Sequence, residues 1–150
     1  MQAAFEEIMP QNDLVAVSFY PFIRGGTTDY KGCQTWLAEH FDRYGKPYAI
    51  VETGEAAERL RFPTSGQIIE GSPEKQAAYY EALLAFAQAH ETRFVIGYPR
   101  RDYDALWAKI EATAPEAFLA WRDCGLIDEQ GRPRPAYAVW KRYLDRPLAR

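Results

Sequence analysis

Three short runs of apolar, strand-prone residues recur along the chain, at residues 13–22, 47–54 and 93–99. Each run is mostly continuous and does not alternate between apolar and polar positions. Continuous runs are typical of strands in a parallel sheet that is covered on both faces, because neither face then meets water. The pattern therefore predicts three parallel strands.

Helical patterns separate these runs. Leu37, Phe41 and Tyr44 follow the i, i+4, i+7 spacing of one helix face. The next helix has a clear beginning, because Ser72 can cap it and Pro73 suits its first turn. Further helical segments are predicted in the opening residues 1–10, near residues 102–110 and over residues 135–144.

The resulting order is α-β-α-β-α-β-α in a single domain, residues 1–150. The strand centres are ~30 residues or more apart, as in successive βα units, and right-handed crossovers make such strands adjacent and parallel. The connection over residues 55–71 is long for its position, and long connections after strands are usually functional. Its glutamates Glu55, Glu58 and Glu70 are predicted to be solvated, unless one of them reaches a neighbouring site.

Composition narrows the classes of function. The 150 residues are 47% hydrophobic and 26% charged, which is typical of one globular domain with a substantial core. A net charge of −3 without a Lys/Arg cluster argues against a nucleic-acid partner. No apolar run reaches the ~20 residues of a membrane-spanning helix, and the N-terminus lacks the features of a signal peptide. We therefore expect a soluble protein, cytoplasmic as given, without a membrane partner.

Polar and aromatic residues follow the apolar part of each predicted strand: Tyr20 in SFYPF, Glu52 in KPYAIVETG and Tyr98 in FVIGYP. The carboxyl ends of parallel strands share one edge of the sheet, where ligands bind. Retaining glycosidases use one carboxylate there as nucleophile and a second one, roughly 5–5.5 Å away, as acid/base. A tyrosine that donates to the nucleophile keeps it ionised and oriented.

The same residues also allow simpler interpretations. Glu52 can be an ordinary strand-end carboxylate that is solvated or caps the following turn. Tyr20 can be an aromatic residue of the core or of the rim of a site. Asp102 can cap the next helix instead of contacting a ligand.

Five segments then occur in a recognisable order: SFYPF, KPYAIVETG, GSPEKQAAYYEALLAFA, FVIGYPRRDYDALW and WRDCGLIDEQGRPRPAYAVW. Together they resemble the C-terminal part of a clan A (β/α)8-barrel glycoside hydrolase, near the arabinogalactan endo-β-1,4-galactanase and cellulase-like groups. The resemblance covers nearly the whole chain. It implies an α/β fold that is a partial TIM barrel, with about three consecutive βα units (strands six to eight) and a leading helix.

The resemblance also implies roles for individual residues. Glu52 matches the nucleophile that ends strand seven, and Tyr20 matches the tyrosine that ends strand six and hydrogen-bonds the nucleophile. The implied reaction is retaining hydrolysis of a β-linked oligo- or polysaccharide, with no metal and no organic cofactor. The side chains expected to contact the carbohydrate substrate are Phe22, Tyr98, Arg100, Asp102 and Trp121.

Two features depart from the family pattern. The acid/base glutamate of the family usually belongs to an Asn-Glu pair that ends strand four, and no Asn-Glu pair occurs in this chain. Relatives usually carry a tryptophan at the end of strand eight as a sugar platform, where this chain has Gly97 followed by Tyr98.

The length adds to these departures, since a whole barrel has about 250 residues. We therefore expect a C-terminal portion that needs an N-terminal half-barrel for activity. The alternative is a non-catalytic remnant or a carbohydrate-binding fragment that uses Tyr20, Phe22 and Tyr98 as a rim. In either case the strand edges and an apolar inner face stay uncovered, which predicts self-association or pairing with the other half.

Overall fold

The structure is a computed structural model that describes residues 6–24 and 30–147, without the side chains of Arg24, Lys31, Cys33 and His40. The strands are β1 (Val15–Phe19), β2 (Tyr48–Thr53), β3 (Arg59–Arg61), β4 (Ile68–Glu70) and β5 (Val95–Gly97). The helices are α1 (Tyr30–Asp42), α2 (Pro73–Ala89), α3 (Asp104–Ile110) and α4 (Pro135–Leu144), with 3₁₀ helices at Met9–Gln11, Pro21–Arg24 and Glu116–Trp121. Residues 6–8 are helical, and the rest of the helix predicted in the opening segment lies outside the described residues.

The three predicted strands form one parallel sheet in the order β1-β2-β5. This confirms that the three strands are parallel and that each of them pairs with the next one along the sequence. Helices α1 and α2 lie between them in sequence, so each crossover is helical. The sheet with its helices is a mixed α/β arrangement that brings three strand ends to one edge.

Helix α2 begins as its sequence predicts. The Ser72 hydroxyl accepts a hydrogen bond of 3.2 Å from the Lys75 amide, Pro73 occupies the first turn, and Glu74 lies at the positive end of the helix dipole. Helix α1 ends at Asp42, shortly before Gly45, whose φ of +57° suits a glycine.

The main core lies on one face of the sheet, between the strands and helices α1, α2 and α4. Phe19 and Ile50 of the sheet pack there with Leu37, Phe41 and Tyr80 of the helices. The strand sequences suggested that both faces are covered, but Ser18 and Ile96 are exposed, the latter by 50%. Within the described residues, the helices of the main core pack on one face, and Ile96 is an apolar residue exposed on the other.

The connection over residues 55–71 contains an unpredicted hairpin. Strands β3 and β4 are antiparallel, with Leu60 opposite Ile69. Each strand is three residues long and buries only its central side chain, a pattern too short to stand out from a loop. A second hydrophobic cluster lies beneath the hairpin and includes Phe22, Phe62 and Leu119 in addition to the paired residues.

None of the helices in the described part of the chain is long and apolar enough to cross a membrane.

Candidate active site

Tyr20 and Glu52 meet at the carboxyl ends of β1 and β2. The Tyr20 hydroxyl donates a hydrogen bond of 2.5 Å to Glu52 Oε1, and both residues are half-buried. The pairing of the two strands shifts just before this point, because Val17 pairs with Ile50 whereas Ser18 pairs with Glu52. The shift leaves Val51 of β2 unpaired and brings Glu52 opposite Ser18, one residue before β1 ends.

Gly54 makes room for this contact. A Cβ atom at Gly54 would lie 2.6 Å from the Tyr98 carbonyl oxygen and 3.1 Å from the Tyr20 ring. The first distance is shorter than real Cβ atoms show, and the second would require the Tyr20 ring to shift slightly. The glycine that follows Glu52 and Thr53 therefore lets the end of β5 and the Tyr20 ring approach β2 closely.

Aromatic rings hold Tyr20 in place. Phe22 and Trp121 both contact the Tyr20 ring edge-on, with ring centroids 5.9 Å and 5.6 Å away. Burial raises the pKa of the Tyr20 phenol well above its usual value, and the hydrogen bond to Glu52 and the charge of Glu52 raise it further. The phenol therefore stays protonated at neutral pH and remains a hydrogen-bond donor to Glu52.

Two of the predicted substrate contacts lie near this pair. The Tyr98 amide donates a 2.8 Å hydrogen bond to the Thr53 carbonyl, which fixes the end of β5 beside Glu52, and the Tyr98 side chain is 45% exposed. Trp121 is half-buried against Tyr20. Arg100, two residues after Tyr98, is exposed. Their contacts with a sugar stay predictions.

Phe22 and Asp102 face the interior instead. Phe22 is only 1% exposed, because the hairpin covers it. The Asp102 side chain has no exposed surface and forms a 2.5 Å ion pair with Arg134 and a 2.7 Å hydrogen bond from the Gly125 amide. A side chain without exposed surface cannot touch a ligand in this conformation, which is at odds with the predicted contacts. The residue directly before α3 is Tyr103 and not Asp102, and the Tyr103 side chain makes no capping bond.

Arg134 is a structural residue that the sequence reasoning missed. Besides Asp102 it pairs with Glu58 at 2.8 Å, and its own side chain is 6% exposed. Burial raises the pKa of Asp102 to about 6, against the opposing effect of the Arg134 cation. The only hint in the sequence is an arginine within the RPRP stretch, and nothing there predicts its partner.

Further acidic groups lie close to Asp102. Asp102, Asp104 and Asp123 bring carboxylate oxygens within 4.8 Å of one another. Arg122 pairs with Asp123 at 2.6 Å and with Asp104 at 3.4 Å. Each of the three carboxylates thus has an arginine partner, Arg134 for Asp102 and Arg122 for the other two.

Glu55 differs from its prediction as a solvated residue. It is only 5% exposed, and its Oε2 atom has no hydrogen-bond partner within the described residues. Burial raises the pKa of Glu55 to about 8, and the charge of Lys75 opposes that rise. A neutral carboxyl group thus lies three residues beyond Glu52, and no pattern in the sequence distinguishes the two glutamates.

Packing explains why position 97 is a glycine, which the family resemblance did not suggest. A Cβ atom there would lie 2.8 Å from the indole ring of Trp140 in α4. Position 97 therefore faces the helices, and the tryptophan behind it belongs to the core. The next residue, Tyr98, follows β5 directly and is exposed to solvent.

No protein-family model matches this chain, and its sequence matches no curated protein. Solved structures nevertheless share the fold. A Faecalibacterium prausnitzii β-glucuronidase superposes with a TM-score of 0.65 at 19% identity, over 93% of this chain and 23% of that one. A Bifidobacterium dentium β-glucuronidase complexed with coumarin-3-O-glucuronide gives 0.64 at 18% identity, over 90% and 21%. A GH2 β-galacturonidase from Eisenbergiella tayi, bound to glycerol, gives 0.59 at 21% identity, over 95% and 25%.

The chain thus spans about a quarter of the length of these glycoside hydrolases or less. At such identities the likeness shows that the fold is shared, and nothing more. The predicted resemblance to the galactanase and cellulase-like groups is finer than this comparison reaches and stays a prediction.

Proposed function

We propose that this chain carries the nucleophile side of a retaining β-glycosidase site, with Glu52 as nucleophile and Tyr20 as the residue that orients it. The observation that carries the proposal is the 2.5 Å hydrogen bond between them at the carboxyl ends of two adjacent parallel strands. Catalytic residues of barrel enzymes lie at this edge of the sheet.

The chemistry would proceed in two displacements. Glu52 attacks the anomeric carbon, and the bond from that carbon to the leaving oxygen breaks while a general acid gives this oxygen a proton. Water then attacks the same carbon and gives a proton to the conjugate base of the general acid. This step releases the sugar and restores the Glu52 carboxylate. Tyr20 donates to Glu52 and so holds one of its oxygens away from the line of attack.

The general acid would come from outside these residues. The chain has no Asn-Glu pair, and the open face of the sheet, where Ser18 and Ile96 are exposed, is suited to contact further strands. We infer that β1, β2 and β5 are three neighbouring strands of a larger (β/α)8 barrel. Their parallel order and their helical crossovers support this inference.

The sugar would lie against the exposed strand ends. Tyr98 offers the exposed aromatic ring nearest to the end of β5, and Trp121 offers an edge beside Tyr20. Arg100 would hydrogen-bond hydroxyl or carboxylate groups of the sugar. The matched structures include β-glucuronidases and a β-galacturonidase, so β-linked uronic acids belong in the panel of candidate substrates beside neutral hexoses.

Covalent labelling tests the proposal without the missing acid. A 2,4-dinitrophenolate leaving group departs without protonation, and a 2-fluoro substituent slows release of the sugar, so the glycosyl-enzyme accumulates. We expect 2,4-dinitrophenyl 2-deoxy-2-fluoro-β-glycosides to release dinitrophenolate once per chain and to add the mass of one sugar to the peptide that contains Glu52.

Two variants serve as controls for the labelling. Glu52→Gln should abolish it. Glu70→Gln should leave it unchanged, because Glu70 is an exposed glutamate on β4. Labelling that survives in Glu52→Gln would remove Glu52 from the mechanism. If the chain binds sugars but no glycoside of the panel labels it, the alternative is favoured, a carbohydrate-binding fragment that uses the exposed Tyr98.

A further inference from the structure

Two hydroxyl groups form hydrogen bonds to the backbone directly behind the Tyr20–Glu52 pair. Thr53 Oγ1 donates a hydrogen bond of 2.7 Å to the Phe19 carbonyl. The Tyr79 hydroxyl of α2 hydrogen-bonds Thr53 Oγ1 and lies 3.5 Å from the same carbonyl. Thr53 uses its one proton on Phe19, so Tyr79 is the donor to Thr53. We call this chain of hydroxyls from α2 to β1, Tyr79–Thr53–Phe19, the hydroxyl clamp.

The hydroxyl clamp is fully enclosed. Thr53 has no exposed surface and Tyr79 has 2%. Inside a protein, a buried hydroxyl that loses its partner is unfavourable, so such a chain of bonds has one favoured arrangement. The rings of Tyr30 and Tyr80 flank Tyr79, with centroids 5.6 Å and 5.3 Å away, and fix its position on α2.

The hydroxyl clamp joins the residues adjacent to the proposed site. Phe19 immediately precedes Tyr20, and Thr53 immediately follows Glu52. Successive side chains of a strand point to opposite faces, so Thr53 reaches toward the helices while Glu52 reaches toward the other face. The same two strand ends are therefore tied together from both sides, by hydroxyls on one face and by the Tyr20–Glu52 bond on the other.

The ladder between β1 and β2 is irregular close to this geometry. Its register shifts between Val17 and Ser18, directly before the strand ends. An irregularity of this kind disrupts the ladder locally. The hydroxyl clamp supplies a directional bond beyond the shift, at the carbonyl from which the backbone turns into Tyr20.

We propose that Thr53 and Tyr79 are positioning residues, which hold the ends of β1 and β2 so that the Tyr20 hydroxyl meets Glu52. Any effect on catalysis rests on the proposed function, but the geometric claim does not. Loss of the hydroxyl clamp would let the Phe19–Tyr20 peptide rotate and would break the Tyr20–Glu52 bond without touching either residue.

The ¹⁹F resonance of 3-fluorotyrosine placed at position 20 reports this bond at neutral pH, where the Tyr20 phenol stays protonated. Its chemical shift depends on the hydrogen bond that the neighbouring hydroxyl donates. Glu52→Gln gives the reference for a Tyr20 without the negative partner. Thr53→Val removes the hydroxyl at nearly constant volume and should move the resonance toward that reference.

Three further variants complete the experiment. Thr53→Ser keeps the hydroxyl and should restore the wild-type ¹⁹F resonance of position 20. Tyr79→Phe should move the resonance in the same direction as Thr53→Val, and it decides the matter if Thr53→Val does not fold. Tyr80→Phe is the matched control, since Tyr80 is equally buried and its hydroxyl has no hydrogen-bond partner within the described residues.

The outcomes separate the two proposals. A wild-type ¹⁹F resonance of position 20 in folded Thr53→Val or Tyr79→Phe would overturn the hydroxyl clamp, and so would an equal change in Tyr80→Phe. If the resonance moves as expected while Glu52 is never labelled, the positioning of Tyr20 stands and the glycosidase proposal falls. If Glu52 is labelled but the resonance does not respond to substitution of Thr53 or Tyr79, the glycosidase proposal stands and the hydroxyl clamp falls.

Discussion

The Tyr20 hydroxyl and Glu52 Oε1 are joined by a 2.5 Å hydrogen bond across 32 positions of sequence. The Tyr20 pKa lies above its usual range, so the bond persists at neutral pH as a neutral donor facing a carboxylate. We expect Tyr20→Phe to slow labelling of Glu52 by about 10- to 100-fold, which corresponds to the ~1.5–3 kcal/mol of a hydrogen bond to a charged group. The rate of dinitrophenolate release measures this. An unchanged rate would mean that Tyr20 is only an aromatic residue of the rim.

The buried ion pair of Arg134 and Asp102 should contribute strongly to stability. Arg134→Met leaves the Asp102 carboxylate without its cation in a site closed to water, and we expect a loss of roughly 3–5 kcal/mol in the free energy of unfolding. The matched control is Arg59→Met, which breaks an exposed pair with Glu70 and should cost under about 1 kcal/mol. Urea denaturation at pH 7 measures both. Equal effects in the two variants would contradict the assignment.

Glu55 should make the fold less stable as the pH rises. Its pKa is raised to about 8 in the folded chain from a usual value of 4.5, so the unfolded chain loses this proton first. The contribution of Glu55 to the free energy of unfolding is fully present below pH 4.5 and falls as the pH approaches 8. The loss from this group is on the order of 3 kcal/mol by pH 7. Glu55→Gln should flatten this part of the profile, and Glu70→Gln should not. The free energy of unfolding between pH 5 and pH 9 tests the sign.

The contact between Gly97 and Trp140 predicts a substitution that fails for a packing reason. Gly97→Ala places a methyl group 2.8 Å from the Trp140 ring and should cost about 1–3 kcal/mol of stability. In a Trp140→Leu background the same substitution should cost measurably less, since the obstructing ring is gone. Thermal or urea unfolding of the four variants completes the cycle, and additive effects would mean that the two residues do not clash.

The uncovered face of the sheet predicts self-association of the isolated chain, with a second copy or with a half-barrel. Ile96 in the edge strand β5 is 50% exposed, and Phe94, directly before the strand, is 43% exposed. Ile96→Glu should shift the chain toward monomer in analytical ultracentrifugation. Leu144→Glu changes a residue that is 73% exposed on α4 and should not. A wild-type chain that sediments as a stable monomer would show that this face needs no cover.

The hydrophobic pattern determined the elements that depend on local spacing. Strands β1, β2 and β5 form at continuous apolar runs, and α2 begins at its Ser72 cap because these signals act within a few residues of each other. The hairpin of β3 and β4 escaped prediction, since two strands of three residues are stabilised by the cluster beneath them and not by their own sequence.

For the candidate site, the sequence by itself singled out Tyr20 and Glu52, because residues that end parallel strands must share one edge of the sheet. Only the tertiary structure decided which other residues join them. Glu52 and Glu55 have the same side chain three positions apart, yet one accepts a bond from Tyr20 and the other is buried without a partner for Oε2. Asp102 is likewise withdrawn from the surface by Arg134. Burial and charge pairing depend on residues distant in sequence, so no local pattern can specify them.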